Sequence, residues 1–392
     1  MRSKCTIFIA ILFSFLVFFG CSKGEKAEGP EGWRGKVDYE EGVKTVKNPD
    51  EPLYGEAQFV LEEDLSIGRE DDENYLFYRA LDIAVDSLDN IYVLELGNCR
   101  IQKFDKNGNY LLTIGKKGQG PVEFERPITV LLDDETGDIY VRDGVKVKIF
   151  DQTGNHQRDI LLKYIPFDLF IDVDRKIWGK FSINTDTGRV MSFIKFNEKG
   201  DVLKNIAAFP YKLTFARLKS AVVALSHGFI YDISISKIDD DTYIYGYSKE
   251  YALNVIDRNA GLLFKIQKEE SYHPITEREK NEIRRRFKRF PENLKKAIQF
   301  PETRPFFGSL FSDDKGRIYV HRLKSPLDEE KGIIFDIFSK NGFYLYRTNL
   351  PHWPQVIGKG LLYAIVSSEE KGGERIKRFK IMNWEEIKDG IS

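Results

Sequence analysis

The chain repeats one order of apolar and polar positions. Ala84-Val85-Asp86-Ser87-Leu88-Asp89-Asn90-Ile91-Tyr92-Val93 is an alternating apolar run, an Asp/Asn turn and a second apolar run. The order returns from Val130 to Val141 and from Phe311 to Val320. Looser copies run from Ile171 to Trp178, Ile238 to Tyr245 and Gly358 to Ala364. A second motif follows each copy: Ile101 to Gly108, Val147 to Gly154, Phe193 to Gly200, Leu253 to Gly261, Phe335 to Gly342, and Ile376 to Phe379 without its turn. Alternation bounded by Asp, Asn and Gly predicts strands joined by turns. Those turn residues tolerate positive φ or cap their own backbone. Two hairpins make a four-stranded sheet of roughly 40 to 50 residues that cannot bury both faces alone, so copies must stack. Six copies in a ring predict an all-β fold, a six-bladed β-propeller.

A ring needs closing. Ala57 to Ile67, AQFVLEEDLSI, is strand-like and precedes the first full copy. It is expected to join the sheet of Leu361 to Met382, which ties the two chain ends together and removes an exposed edge. Between the fourth and fifth copies lies a helical insertion at about 272–303. Thr276 and Glu279 form a capping box. Ile283, Phe287, Phe290, Leu294 and Ile298 fall on one helical face, with Pro291 splitting or kinking the helix. The propeller is thus assigned to 57–384 and a C-terminal tail to 385–392.

The first 20 residues read differently. Arg2 and Lys4 precede an apolar run from Thr6 to Gly20, the length of a signal h-region and short for a membrane span. Residues 21–56 are rich in Gly, Glu, Lys and Pro and read as a flexible tether. Composition supports a folded domain: 42% of residues are hydrophobic, and 29 Phe with 19 Tyr suit β-structure. Lys and Arg number 60 against 61 Asp and Glu, a balance that argues against a dedicated nucleic-acid binder. Of three cysteines, Cys5 leaves with the leader and Cys21 is the lipidation candidate. Cys99 then has no disulfide partner, so the core must hold the fold.

Two resemblances sharpen this. Phe18-Phe19-Gly20-Cys21 resembles the bacterial lipobox, with Phe18 where Leu is usual. The resemblance implies cleavage before Cys21 and lipidation of its thiol. An uncleaved N-terminal anchor is the alternative, and both export the rest of the chain. Gly97-Asn98-Cys99-Arg100-Ile101-Gln102-Lys103-Phe104-Asp105 resembles the centre of the NHL repeat. Gly115 to Phe124 followed by Pro127 resembles that family's link to the next blade. The match is specific over Leu81 to Gly154 and pattern-level elsewhere. It implies a six-bladed propeller, exported and lipid-anchored in the bacterial cell envelope. NHL domains serve as protein- or RNA-binding platforms, and a few relatives are metal-dependent lyases or hydrolases.

Candidate chemistry is sparse. His156, His227, His273, His321 and His352 do not recur at equivalent positions of the copies, so no metal site is expected from them. Asp133-Asp134-Glu135 and Asp239-Asp240-Asp241 occupy turns, where Asp caps the backbone. A structural calcium ion stays open, because carboxylates and carbonyls suffice for it. Cys99 reads as a small, half-buried strand residue. The insertion helix carries a basic face, read as solvated or as a site for anionic head groups. Arg79 lies seven residues before Asp86, and Arg126 seven before Asp133. Each would stand where the chain enters an innermost strand, so together they are the candidate ligand-binding pair, able to hold a carboxylate or phosphate. The expected molecule is a monomeric, lipid-anchored, non-catalytic scaffold for a protein, peptide or glycan. The alternative is a metal-dependent lyase or hydrolase.

Overall fold

The computed structural model describes residues 29–218, 221–225, 228–288, 290–296, 298–367 and 373–390, without the side chains of 214–218 and 221–225. The leader, Cys21 and His227 therefore lie outside the described residues. Six antiparallel four-stranded blades follow one another along the chain, with a separate two-stranded sheet, Thr214–Leu218 with Ala221–Leu225, between the third and the fourth. The first blade is Ala80–Val85, Ile91–Glu95, Arg100–Phe104 and Tyr110–Ile114. The second is Pro127–Leu132, Ile139–Asp143, Lys146–Phe150 and His156–Leu161, and the third begins at Pro166–Ile171 and Ile177–Thr185. The fourth begins at Ile233–Lys237, the fifth at Leu310–Ser312 and the sixth at Val356–Gly358. First strands of successive blades lie against one another, so they surround the axis. The fold is a six-bladed β-propeller.

Turn chemistry sets the hairpins. Asp86 Oδ1 accepts from Leu88 N (3.0 Å) and Asn90 N (2.8 Å). Asp172 Oδ1 does the same for Asp174 and Lys176, and Asp313 Oδ1 for Lys315 and Arg317. Gly154 and Gly342, at φ of 87° and 90°, take turn conformations that a side chain would strain. The second strands are nearly all buried: Ile91, Tyr92, Val93 and Leu94 are each at most 1% exposed. They fill the space between blades, where apolar area leaves water.

Closure follows the expectation. Leu61–Ile67 pairs antiparallel with Glu374–Ile381 as the outermost strand of the sixth blade. The residues before it are a correction. The flexible tether expected over 21–56 instead contains a hairpin, Lys36–Glu40 with Val43–Asn48. Val43–Asn48 runs parallel to Leu262–Lys268, the outer strand of the fourth blade, and Glu56–Ala57 runs parallel to Tyr344–Leu350 of the fifth. The segment covers the open edges of two blades in turn. Asn48 joins the two: its Nδ2 donates to Gly342 O (2.8 Å) while its Oδ1 accepts from Tyr344 N (2.8 Å) and Trp33 Nε1 (3.0 Å). Backbone pairing needs few aliphatics, which is why composition read this stretch as linker.

The C-terminal end is a second correction. Residues 385–390 pack against the fifth blade: Ile387 is 5% exposed and its carbonyl accepts from Arg317 Nη1 (2.7 Å). The insertion forms the crossover from the fourth blade to the fifth. It folds as two helices, Glu277–Arg286 and Glu292–Lys296, with Pro291 at the break. Thr276 and Glu279 form the capping box, and Ile283 packs beside Phe229 and Ile275.

Candidate functional site

The axis has two mouths. At one, hairpin turns leave the first strands; at the other, crossovers lead into them. Arg79 and Arg126 stand at the crossover mouth, each directly before a first strand. Their loops are fixed from the second strands. Glu95 Oε2 accepts from Tyr78 N (3.0 Å), and Asp143 Oδ1 accepts from Arg126 N (2.5 Å). Arg79 has φ 56°, and its carbonyl accepts from Leu96 N (3.0 Å). Both arginines are exposed, and neither guanidinium has a hydrogen bond or ion pair among the described residues. The structure thus puts the pair where the repeat spacing placed it.

Just inside, the first three blades share an irregularity. The register slips between Ala80 and Asp82, at Pro127 against Asp143, and between Pro166 and Asp168. Each slip leaves one residue unpaired: Leu81, Ile128 and Phe167. Bulges of this kind re-aim side chains at barrel rims and beside sites. The next residues, Asp82, Thr129 and Asp168, sit opposite Leu94, Arg142 and Lys180 of the second strands. One side of the mouth therefore carries an acid from the first blade, a cation from the second and both from the third. Tyr78, Leu81, Ile165 and Phe167 add exposed apolar surface beside them.

These charges are unevenly satisfied. Asp82 accepts from Val130 N (2.9 Å) and Ile83 N (3.0 Å), which links two first strands; burial still pushes its carboxyl up to about 7. Asp168 is exposed toward the mouth, yet desolvation by the surrounding protein raises its pKa, against the pull of Lys180 and Arg142. Asp168 makes no ion pair among the described residues, whereas Lys180 Nζ meets Asp232 Oδ2 at 3.0 Å. Arg142 is 7% exposed, and its buried Nε has no partner. Burial lowers its pKa, Asp168 opposes this, and the charge of Arg126 adds to it. His321 takes the corresponding place in the fifth blade, its backbone N donating to Ser309 O (2.9 Å). Burial lowers its pKa to about 4, so it is neutral at pH 7.

The turn mouth is the opposite case. Asp133 accepts from Glu135 N, Thr136 N and Arg175 Nε, the last at 2.7 Å. Asp239 accepts from Asp241 N and Thr242 N. Both acidic runs thus cap turns. Tyr92 and Tyr319 return their hydroxyls to Asp86 and Asp313, and Trp178 returns its indole N–H to Asp172.

The other candidates separate. His156 meets Asp159 at 2.7 Å, His352 stacks on Phe379, and His273 lies in the crossover insertion. No three His, Cys, Asp or Glu side chains group as a metal site among the described residues. Cys99 sits in the turn before Arg100–Phe104 rather than in the strand, at φ 52°; its Sγ donates to Leu96 O (3.4 Å), and burial raises its pKa. No helix among the described residues is long and apolar enough to cross a membrane.

Known proteins agree on the architecture. Residues 72–243 match the family described as DUF5128, 6-bladed beta-propeller. No curated protein matches. Among solved structures, a protein described as exported, from Bacteroides fragilis, is 10% identical with a TM-score of 0.52, over 85% of this chain and 99% of that one. A member of the duf4221 family from Bacteroides vulgatus is 12% identical with a TM-score of 0.50, over 82% and 97%. Virginiamycin B lyase from Staphylococcus aureus is 10% identical with a TM-score of 0.41, over 83% and 100%.

Sequence reasoning found Arg79 and Arg126 but missed Asp82, Arg142, Asp168 and Lys180. A signal existed. Ile91-Tyr92-Val93-Leu94, Ile139-Tyr140-Val141-Arg142 and Ile177-Trp178-Gly179-Lys180 align, and two carry a cation where the first has leucine.

Proposed function

We propose that the protein is an exported, lipid-anchored binding scaffold with NHL-like blades, which presents the crossover mouth to a protein, peptide or glycan. One observation carries the reading: exposed apolar side chains and exposed arginines share a mouth held by rigid first strands, and a rigid framework with a loop-built face is the usual design of a recognition surface. The lipobox-like Gly20-Cys21 supports anchoring, and the likeness to a protein described as exported supports export alone. The lyase alternative would need ligands converging on the axis. The described histidines instead lie on an outer strand, a crossover insertion, a second strand and a blade-to-blade link.

Binding of envelope protein, peptide and glycan fractions to the purified chain tests the reading. Phe167→Asp and the double change Arg79→Ala with Arg126→Ala should each abolish retention of the fraction that wild type holds. Changes at the turn mouth, such as Asp134→Ala, should leave it intact. Equal retention by all variants would remove the assignment of the face. Anchoring is read separately: Cys21→Ser should lose metabolic palmitate label, and undiminished label would end the lipoprotein reading.

A further inference from the structure

Two arginines are buried, and they are treated differently. Arg317 is fully buried and donates to Asp313 Oδ2 (2.6 Å) and to Ile387 O (2.7 Å), with only its Nη2 unpartnered. Arg142, at 7% exposure, donates no hydrogen bond and makes no ion pair among the described residues. A buried charge is ordinarily paired, because leaving water costs far more than an unpaired group recovers. Asp168 attracts Arg142 only from beyond ion-pair distance, while Arg126 repels it. Arg142 thus carries a buried charge with no hydrogen-bonded or ion-paired partner among the described residues. It does so beside the bulges at Ile128 and Phe167, with a second free guanidinium, Arg126, at the surface above it.

From this we infer that Arg142 and Arg126 form an oxyanion subsite at the crossover mouth. The ligand it takes has a carboxylate or phosphate head and an apolar body. The head would receive the fork of Arg142, whose planar donors match two oxygens at once, and the outer charge of Arg126. The body would lie on Phe167 and Leu81, which are 49% and 37% exposed. Asp82 does not oppose an anion strongly, since its carboxyl, with a pKa of about 7, is half protonated at neutral pH. Lys180 and Asp232 cancel each other through their ion pair. The inference rests on the scaffold reading and gives that reading a ligand chemistry.

The test uses three probes of one shape on the purified chain: 3-phenylpropionate, 2-phenylethyl phosphate and the neutral 3-phenylpropanol. One anion or both should raise the melting temperature by mass action, and the alcohol should not. A response to the carboxylate alone, or to the phosphate alone, identifies the head group. Arg142→Met should weaken that response about tenfold or more, the loss of a charge-assisted fork. It should also leave the unliganded protein at least as stable as wild type, because methionine fills the site without a buried charge. Arg142→Lys keeps the charge and loses the fork, so an intermediate response is expected should the methionine variant fail to fold. No anion-specific shift in wild type, or an undiminished shift in both variants, overturns the subsite. If envelope ligand is still retained in that case, the scaffold reading survives without it.

Discussion

The two mouths of the axis use the same residue type to opposite ends. At the turn mouth, Asp86, Asp172 and Asp313 each accept backbone N–H groups and a side-chain donor from the second strand. At the crossover mouth, Asp168 has no ion pair, Asp82 has its pKa raised to about 7, and Arg142 has no partner among the described residues. The first arrangement completes the fold. The second leaves charge unmatched within a few residues of exposed apolar surface. Local conflict of this kind is expected where a site is kept for a ligand rather than for stability.

Removing a carboxylate from each mouth should therefore have different consequences. The largest effect belongs to Asp313→Ala, which strands the fully buried Arg317 and should cost about 3 to 5 kcal/mol in a urea melt. A loss below about 1 kcal/mol would mean that the turn aspartates are not structural. Asp172→Ala loses the Trp178 indole bond, the Lys195 pair at 3.0 Å and two turn N–H bonds. A cost of about 2 to 3 kcal/mol is expected, with normal blade content by circular dichroism.

Asp82 sharpens the contrast through pH. Its carboxyl titrates at about 7 in the fold against 3.8 ordinarily. Between those values the folded state binds more protons than the unfolded chain, so this group makes stability fall as pH rises through that window. Asp82→Asn removes the dependence and keeps an acceptor for Val130 N. The variant should match wild type near pH 4 and exceed it by about 1 to 2 kcal/mol at pH 8, part of the effect being screened by solvent. A parallel pH profile for the two proteins would contradict the raised pKa. The smallest effect is Arg79→Ala with Arg126→Ala. Both side chains are exposed, so stability should change by less than about 0.5 kcal/mol. A larger loss would make the pair structural and erase the difference between the mouths.

What was legible in the sequence was local. Asp86, Asp151 and Asp313 announce turns because an Asp side chain reaches N–H groups two and four residues on. Thr276 and Glu279 announce a helix start for the same reason. The N-terminal hairpin was not legible. Val43–Asn48 is held by a parallel edge more than 200 residues away, and Asn48 earns its burial only between Gly342, Tyr344 and Trp33. Nothing within a short window marks such a partner. Cys99 failed similarly, since the turn that ends Ile91–Glu95 claims it before the next strand begins.

The sequence by itself determined the repeat, its count of six, the closing strand and the place of Arg79 and Arg126. Periodicity and turn residues act over ten residues or fewer, and each copy states them again. Only the tertiary structure decided which charges meet. Asp82, Arg142, Asp168 and Lys180 come from three blades, and each looks unexceptional in its own strand. Ring closure turns three equivalent bulges toward one mouth and buries Arg142 without a counter-ion. Electrostatic balance is a sum over neighbours in space, and a linear pattern does not contain that sum.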